Sequence, residues 1–333
     1  MENIIFIGLL FIPVILISFI ITLFLLPRWI TRAKLERLMG KDVHKYDKRE
    51  VAEGGGISIL VGFVISIFLY MAIRTFVFKD QEHLIELFGI LGVLFFAAML
   101  GFMDDLLGWK RGLSKRTRIV MMFFAAVPLM VLNFGETTLF GINFGVFYPL
   151  FFVPLATVAT TTTFNFMAGY NGLETSQGII VLTALAVVNI IKGNLWLALI
   201  TMSLVSSLVA FFFFNKYPAK VFPGDIMTYS IGAMIGSIAI IGSIEKIAAF
   251  IFIPYIIEMI LKSKGKLKIE SFGAIQKDGS LELRQKGIYG LEHFAIVLLK
   301  KIKPSHKAYE WEIPIVINII QLIFVASAFL LFL

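Results

Sequence analysis

Ten long apolar runs, separated by polar segments, dominate this sequence. Each run approaches the roughly 20 residues that a helix needs to cross a bilayer. The runs occupy residues 4–26, 57–73, 84–103, 118–133, 146–164, 176–191, 194–214, 226–242, 246–261 and 313–332. Of the 333 residues, 59% are hydrophobic and 16% are charged, and both values depart from a soluble domain. The sequence therefore predicts an all-α polytopic membrane protein with about ten transmembrane helices, forming a single domain over residues 1–333.

Basic residues lie almost entirely on one side of this predicted bundle. With the connecting segments assigned to alternate sides, one side holds 26 of the 30 Lys and Arg residues. The other side holds only Arg74, Lys79, Lys192 and Lys246. Because loops rich in Lys and Arg stay in the cytoplasm, the basic side is predicted to be cytoplasmic and both termini are predicted to lie outside.

An acidic pair, Asp104-Asp105, stands where the third apolar run meets water. Five cations follow within 13 residues: Lys110, Arg111, Lys115, Arg116 and Arg118. Adjacent carboxylates at a membrane boundary are costly to keep, and at the C-terminal end of a helix they oppose its dipole. A solvated acidic cap is the alternative interpretation. Carboxylates beside cations favour a site that handles a metal ion and phosphate.

Three further polar segments are predicted to lie on the same cytoplasmic face. They are Glu53-Gly54-Gly55-Gly56, the stretch from Asn165 to Glu174, and Phe222-Pro223-Gly224-Asp225. Each has a structural alternative, namely close helix packing, an Asn-Gly turn and an N-cap. Together they supply carboxylates and carboxamides, and none of them contains His. The sequence has no Cys, which excludes a thiolate site, so a Mg²⁺-diphosphate site fits better than a zinc site.

In their order along the chain, these segments resemble a known family. The set is Glu53-Gly-Gly-Gly, Asp104-Asp105, Asn165-x-x-Ala-Gly-Tyr-Asn171-Gly-Leu-Glu174 and Phe222-Pro-Gly-Asp225. It resembles the motifs of the polyprenyl-phosphate N-acetylhexosamine-1-phosphate transferases, the glycosyltransferase 4 family, over nearly the whole chain. Trp109 and the Ala168-Gly-Tyr-Asn171 form are most similar to the archaeal and eukaryotic members that act on dolichyl phosphate. Bacterial MurNAc-pentapeptide members typically carry Asp at both of these positions, Ala168 and Asn171.

The resemblance implies a reaction and a role for each matching residue. UDP-GlcNAc and dolichyl phosphate would give GlcNAc-diphosphodolichol and UMP, the first lipid-linked step of an N-glycosylation-type pathway, with Mg²⁺ or alternatively Mn²⁺. The expected metal ligands are Asn165 and Asp225. The expected catalytic residues are Asp104, Asp105 and Lys115, with single displacement favoured over an aspartyl-phosphate route. The expected UDP-sugar contacts are Glu53, Asn171, Glu174, Phe222 and Lys268.

The segment 262–312 departs from the family's pattern. Eukaryotic members carry an Arg-His-Arg stretch there, whereas this chain has Lys264, Lys266 and Lys268 without His, which leaves the diphosphate and sugar contacts of this loop open. Lys277-Asp278-Gly279 predicts a hairpin between short strands. Residues 289–303 predict an interfacial amphipathic helix with Leu291, Phe294, Ala295, Leu298 and Leu299 on one face. We hypothesise that this cytoplasmic insertion sets acceptance of GlcNAc.

Two other functions remain open from the sequence. A secondary transporter of nucleotide sugars also has broken helices and basic loops, but its site lies near the bilayer midplane. A bacterial-type transferase acting with undecaprenyl phosphate on another UDP-N-acetylhexosamine is the alternative within the enzyme class. The expected partners are the two substrates and membrane lipids, not nucleic acid, with a homodimer as a family-based possibility. The expected location is the plasma membrane of a prokaryote, by resemblance an archaeal one.

Overall fold

The protein is predominantly helical. The computed structural model describes residues 2–47, 49–107, 112–132, 137–139 and 141–333, and side chains from residue 12 onward. Within these ranges the helices are α1 Glu2–Leu35, α2 Gly56–Ala72, α3 Leu84–Leu107, α4 Lys115–Ala125, α5 Val127–Leu132, α6 Val153–Phe166, α7 Leu173–Ile191, α8 Leu195–Asn215, α9 Gly224–Ile241, α10 Glu245–Ile251, α11 Ile253–Lys264, α12 Leu291–Ile302 and α13 Glu312–Phe332. Short π-helical turns precede α6 at Tyr148–Phe152 and follow α2 at Ile73–Val77.

Seven helical segments in the described ranges are long and apolar enough to cross a membrane. They are Ile12–Leu35, Gly56–Val77, Leu84–Leu107, Leu173–Ile191, Leu195–Asn215, Gly224–Ile241 and Glu312–Phe332. The predicted class, a mostly helical protein with several membrane helices, is therefore confirmed. The count of ten is not, because the predicted spans 118–133, 146–164 and 246–261 do not form single long helices.

Proline divides each of these three spans. Pro128, Pro154 and Pro254 each stand second in α5, α6 and α11, directly after a break in the helix. Proline has no N–H, and its ring clashes with the carbonyl four residues earlier, so it fits best in the first turn of a helix and kinks or breaks a helix elsewhere. An apolar run that hydropathy treats as continuous therefore becomes two shorter helical pieces. In contrast, α1 continues through Pro13 and Pro27.

Close helix packing sets the position of the site. The α3 helix packs against α9, and α9 packs against α6, while α7 lies beside α8. At Gly101 in α3 a Cβ would lie 2.6 Å from the Ile226 Cα, and at Gly232 in α9 it would lie 2.8 Å from the Thr160 carbonyl oxygen. Only glycine allows such close backbone contact, so these positions hold the ends of α3 and α6 against the start of α9.

Short strands cover the end of the bundle where α3 ends and α9 begins. Strands β1 Met39–Lys41 and β2 Glu50–Ala52 form an antiparallel hairpin, and Ala52 pairs with Val221 in a parallel bridge. Strands β3 Thr138–Leu139 and β4 Ile142–Asn143 pair elsewhere. Strands β5 Ala274–Ile275, β6 Ser280–Glu282 and β7 Ala308–Tyr309 form an antiparallel sheet in the order β5-β6-β7. The predicted turn at Lys277-Asp278-Gly279 joins β5 to β6.

The amphipathic helix of the segment 262–312 is α12, but its buried face differs from the prediction. Leu291 and Ala295 are buried as expected, whereas Phe294 is 37% exposed. The helix packs against α13, β7 and α11, and Glu292 and His293 are buried as well. The hydrophobic pattern did not foresee this, because the charged partners of these side chains come from distant parts of the sequence.

The absence of Cys permits a direct test of sidedness. We expect single cysteines at Lys34 and Lys286, both exposed, to react with a membrane-impermeant maleimide from the same side of a sealed vesicle. A cysteine at Lys192, in the exposed turn after α7, should react from the opposite side, because one crossing of α7 separates it from the end of the bundle that carries β1. Labelling of Lys192→Cys and Lys286→Cys from one side would contradict the predicted topology.

Candidate active site

One cavity of about 720 Å³ gathers most of the predicted site residues. It lies where α3 and α6 end and α9 begins, beneath the β1 hairpin. Seven of the ten predicted residues line it: Glu53, Asp105, Asn165, Asn171, Glu174, Phe222 and Asp225. The other three, Asp104, Lys115 and Lys268, do not. Residues as far apart in the sequence as Glu53 and Asp225, which are separated by 172 positions, therefore meet at one place.

Asp105 joins the end of α3 to the start of α9. Its Oδ1 accepts a hydrogen bond from the Asp225 N–H at 2.7 Å, and its Oδ2 accepts one from the Ile226 N–H at 3.1 Å. Gly224 has a φ of 73°, and a Cβ there would collide with the Asp105 carboxylate. The Pro-Gly-Asp motif thus gives a carboxylate access to free helical N–H groups. The favourable α9 dipole offsets the unfavourable position of Asp105 at the end of α3.

Asp104 is buried beneath the cavity and fully bonded. Its Oδ1 accepts a hydrogen bond from the Leu113 N–H at 2.7 Å, and its Oδ2 accepts one from the Tyr229 hydroxyl at 3.0 Å. Arg118 lies 2.7 Å from the same Oδ2. The two neighbouring aspartates therefore differ in position: Asp105 faces the cavity, whereas Asp104 ties α3 to α4 and α9 from behind.

Asp225 and Asn165 present oxygen atoms to the cavity. The Asp225 side chain does not cap its own helix, because Asp105 accepts hydrogen bonds from the N–H groups at the start of α9. Instead, the Asp225 carboxyl contacts that of Asp104. The Asn165 Oδ1 accepts a hydrogen bond at 3.2 Å from the hydroxyl of Thr228, one turn after Asp225 on α9. The alternative reading of Asp225 as a simple N-cap is therefore wrong.

The donor chemistry here fits a hard divalent cation. Three carboxyl groups, those of Asp104, Asp105 and Asp225, lie together, and among the described residues only Arg118 forms an ion pair with the group. Such an excess of negative charge is unfavourable in a partly buried site unless a cation offsets it. Carboxylate and carboxamide oxygens without sulfur or imidazole are the ligands that Mg²⁺ and Mn²⁺ prefer.

A second cluster with possible metal ligands was not predicted from the sequence. Asp42, His44 and Glu310 are buried, and their donor atoms lie within 4.8 Å of one another. The Lys45 ammonium, however, contacts Glu310, and Lys45 and Arg49 lie 3.8 and 3.7 Å from Asp42. These two cations already balance the two carboxylates, so the cluster fits an ion-pair network better than a metal site.

This ion-pair network holds Asn171. The Asn171 backbone N–H donates to Glu310 Oε1 at 3.4 Å, and its side-chain Nδ2 donates to Asp42 Oδ2 at 3.2 Å. Burial, together with nearby Arg284 and Lys45, lowers the pKa of His44 to about 3, so this ring is neutral near pH 7. Burial and the Asp42 charge raise the pKa of Glu310. No sequence pattern could have linked position 310 to position 171.

Glu174 closes the loop that carries Asn171. Its Oε1 accepts a hydrogen bond from the Gly169 N–H at 2.6 Å. Gly169 and Gly172 have φ values of 106° and 82°, which glycine adopts without strain. A tight loop therefore explains the spacing of Gly169, Gly172 and Glu174. The carboxylate of Glu174, at the end of this loop, accepts a hydrogen bond from the N–H of Gly169 at its start.

Glu53 and Phe222 form the wall beneath the β1 hairpin. The Phe222 N–H donates to the Ala52 carbonyl at 2.7 Å, and the Trp29 indole donates to the Glu53 carbonyl at 2.9 Å. At Gly40 a Cβ would lie 3.0 Å from the Phe222 ring and 3.3 Å from Glu53 Oε2. Burial raises the pKa of Glu53. An aromatic ring and a carboxyl group thus stand side by side at the cavity.

The predicted basic residues lie outside the lining of the cavity. Lys115 is exposed and donates to the Leu267 carbonyl at 2.8 Å, and Lys268 is also exposed. Trp109, Lys110 and Arg111 lie outside the described residues. The cations that do line the cavity are Arg37, Lys41 and Lys262, and the motifs gave no indication of them.

The two cavity-facing aspartates should differ in their effect on stability. Asp105→Asn leaves a single carbonyl oxygen for two helical N–H groups, so we expect a loss of about 1 kcal/mol, as for loss of a helix cap. Asp225→Asn removes a negative charge that caps nothing, so stability should stay the same or rise. Thermal unfolding in detergent without divalent cations measures both. An equal fall in the unfolding temperature of both variants would contradict the capping role of Asp105.

Comparison with known proteins agrees with this arrangement. The model of glycosyl transferase family 4 matches residues 87–243. A Saccharolobus solfataricus protein, provisionally named UDP-N-acetylglucosamine–dolichyl-phosphate N-acetylglucosaminephosphotransferase, is 39% identical over 280 residues, which cover 82% of this chain and 84% of that protein. A Sulfolobus acidocaldarius protein with the same provisional name is 32% identical over 318 residues, which cover 93% of this chain and 94% of that protein.

A bacterial relative is more distant. The phospho-N-acetylmuramoyl-pentapeptide-transferase of Streptococcus pyogenes is 27% identical over 260 residues, which cover 73% of this chain and 76% of that protein. The archaeal relatives match most of the length of both chains, and the family model includes Asp104, Asp105, Asn165 and Asp225. The resemblance read from the motifs is confirmed: the chain belongs to glycosyl transferase family 4.

Proposed function

We propose that this protein transfers GlcNAc-1-phosphate from UDP-GlcNAc to a dolichyl-type polyprenyl phosphate, giving GlcNAc-diphosphodolichol and UMP. The observation that carries the proposal is the cavity in which Asp105, Asp225 and Asn165 meet at one end of the bundle. Its oxygen donors suit a cation bound to a diphosphate. The archaeal relatives, at 39% and 32% identity over most of the chain, bear the name of this activity.

The reaction exchanges one phosphorus–oxygen bond for another. An oxygen of the lipid phosphate attacks the β-phosphorus of UDP-GlcNAc, and the bond from that phosphorus to the bridging oxygen breaks, so UMP leaves with the bridging oxygen. Such transfers depend mainly on positioning and on neutralising charge. Bound Mg²⁺ would supply the charge neutralisation. Asp225 and Asn165 would hold this ion.

Asp105 is suited to a positioning role as well as a proton-accepting one. A phosphate monoester is already largely ionised near pH 7, so little base catalysis is needed. Both oxygens of Asp105 are fixed by N–H groups of α9, which holds Asp225 in place. Asp104 supports the same arrangement from behind, and single displacement needs nothing further from either group.

The opposite side of the cavity is suited to the uridine. We assign the uracil to the wall formed by Phe222 and Glu53, and we assign Asn171 to an edge of the same base. The ring of Phe222 offers a stacking surface, and the Asn171 carboxamide offers both a donor and an acceptor. The loop closed by Glu174 keeps Asn171 at this place.

The prenyl chain would lie along the membrane face of the bundle. Leu106 lines the cavity next to Asp105 and is 56% exposed, so an apolar chain can approach the acidic group from the bilayer.

We further propose that three pairs of shorter elements cross the membrane and complete the count of ten crossings. These pairs are α4 with α5, α10 with α11, and the π-helical turn Tyr148–Phe152 with α6. The cavity would then face the cytoplasm, where nucleotide sugars are available, and both termini would lie outside.

The position of the cavity argues against transport. A transporter site lies near the bilayer midplane, whereas this cavity lies at the ends of α3 and α6 and the starts of α7 and α9. The bacterial-type alternative is weaker, because the S. pyogenes relative is 27% identical and covers less of the chain than the archaeal ones.

Release of UMP tests the proposal directly. Purified protein in detergent should release UMP from UDP-GlcNAc only when both dolichyl phosphate and Mg²⁺ are present, and EDTA should stop it. Asp225→Asn should lower the rate by about 100-fold or more, as loss of a charge-stabilising group does.

A remote acid-to-amide change serves as the control. Glu82→Gln, an exposed carboxylate that precedes α3, should leave the rate unchanged. If nucleotide sugar binds but no lipid phosphate yields UMP, the transferase proposal is wrong, and a flux assay in proteoliposomes becomes the test of the transporter alternative.

A further inference from the structure

Lys262 is the most enclosed cation that lines the cavity. Its side chain is 14% exposed, whereas Lys41, another cation of the lining, lies on the exposed edge of the β1 hairpin. Lys262 comes from the last turn of α11, the helix that leads into the segment 262–312. Nearly complete removal of an ammonium group from water is unfavourable unless close partners replace the water.

The Lys262 side chain lines the same cavity as the proposed metal ligands Asn165 and Asp225. It donates a hydrogen bond to the carbonyl of Phe166, and Phe166 directly follows Asn165 in the chain. This carbonyl is at the C-terminal end of α6, where helical carbonyls lack partners of their own. Lys262 therefore contacts the C-terminal end of α6, the helix that carries Asn165.

A buried carboxylate holds Lys262 in this position. Glu258, one turn earlier on α11, is fully buried, and its Oε1 lies 3.4 Å from the Lys262 ammonium. The other oxygen of Glu258 accepts a hydrogen bond from the Leu291 N–H at 2.6 Å, at the start of α12. The segment 262–312 thus reaches the cavity through Leu291, Glu258 and Lys262.

The lysines expected from the family pattern do not occupy this place. The Lys115 ammonium binds a backbone carbonyl outside the lining, and Lys268 is exposed. A diphosphate carries at least two negative charges, and a nucleoside diphosphate site commonly combines a metal ion with a Lys or Arg. Among the described cations that line the cavity, Lys262 is the enclosed one.

We propose that Lys262 binds the diphosphate of the nucleotide sugar. This inference rests on the proposed function and deepens it, since it names the protein cation that replaces the missing Arg-His-Arg stretch. On binding, a phosphate oxygen takes the place of the Phe166 carbonyl as acceptor, while Glu258 keeps the ammonium in position. The segment 262–312 then acts on the substrate through α12 and Glu258, in addition to covering the cavity.

Binding of UDP and of uridine separates this role from a structural one. We expect Lys262→Met to weaken UDP binding about tenfold or more, because a charge-assisted hydrogen bond to phosphate is lost. Uridine has no phosphate, so its affinity should stay within about twofold of the wild-type value. Titration calorimetry of the full-length protein in detergent with Mg²⁺ measures both. Lys262→Arg, which keeps the charge, should recover most of the UDP affinity.

The controls distinguish three outcomes. Lys301→Met, an exposed lysine in the last turn of α12, should bind UDP like the wild type. Unchanged UDP affinity in Lys262→Met overturns the inference, and so does an equal loss of uridine and UDP binding, which would indicate a structural role. Failure of the wild-type protein to bind UDP or release UMP would instead count against the proposed function.

Discussion

The bond between Asp105 and the first N–H groups of α9 organises this site. It joins two membrane helices that are 117 positions apart in sequence, counted from the end of α3 at Leu107 to the start of α9 at Gly224. It also fixes where Asp225 stands, because the donor of the shorter bond is the Asp225 backbone itself. Once α9 is held in this way, Thr228 meets Asn165 one turn later. The close contacts at Gly101 and Gly232 serve the same end, since a larger residue at either position would move α9 away.

The local motifs indicated residues that line one cavity, whereas hydropathy misjudged three of the ten predicted spans. Glycine, carboxylate and carboxamide at fixed spacing indicated seven residues that line one cavity, because each motif stands at a helix end that the topology turns to one side. Hydropathy treats an apolar run as continuous whether or not a proline interrupts it, so the runs around Pro128, Pro154 and Pro254 were read as single helices. The long helices without internal breaks, such as α3 and α13, were predicted well.

Glu310 and Lys262, which the motifs did not indicate, each bind a residue that is distant in the sequence. Glu310 acts on Asn171 across 139 positions, and Lys262 acts on Phe166 across 96. Nothing near either residue in the chain marks it as part of a site. Both lie at the borders of the segment 262–312, which looked like an appended loop. In the structure this segment is tied to the cavity at both ends, through Glu258 at its entry and through Glu310 at its exit.

Charge balance explains why this cavity suits a reaction between two anions. The acidic side, with Asp104, Asp105 and Asp225, has more negative charge than Arg118 offsets, whereas the Asp42–Glu310 network is balanced by Lys45 and Arg49. Only the first of these groups therefore gains from binding a divalent cation. A diphosphate, in turn, gains from that cation and from the enclosed Lys262 ammonium that lines the same cavity. The acidic group lacks charge balance alone. A bound metal–diphosphate would bring it a cation and would bring Lys262 a phosphate anion, so substrate and cation are expected to bind cooperatively.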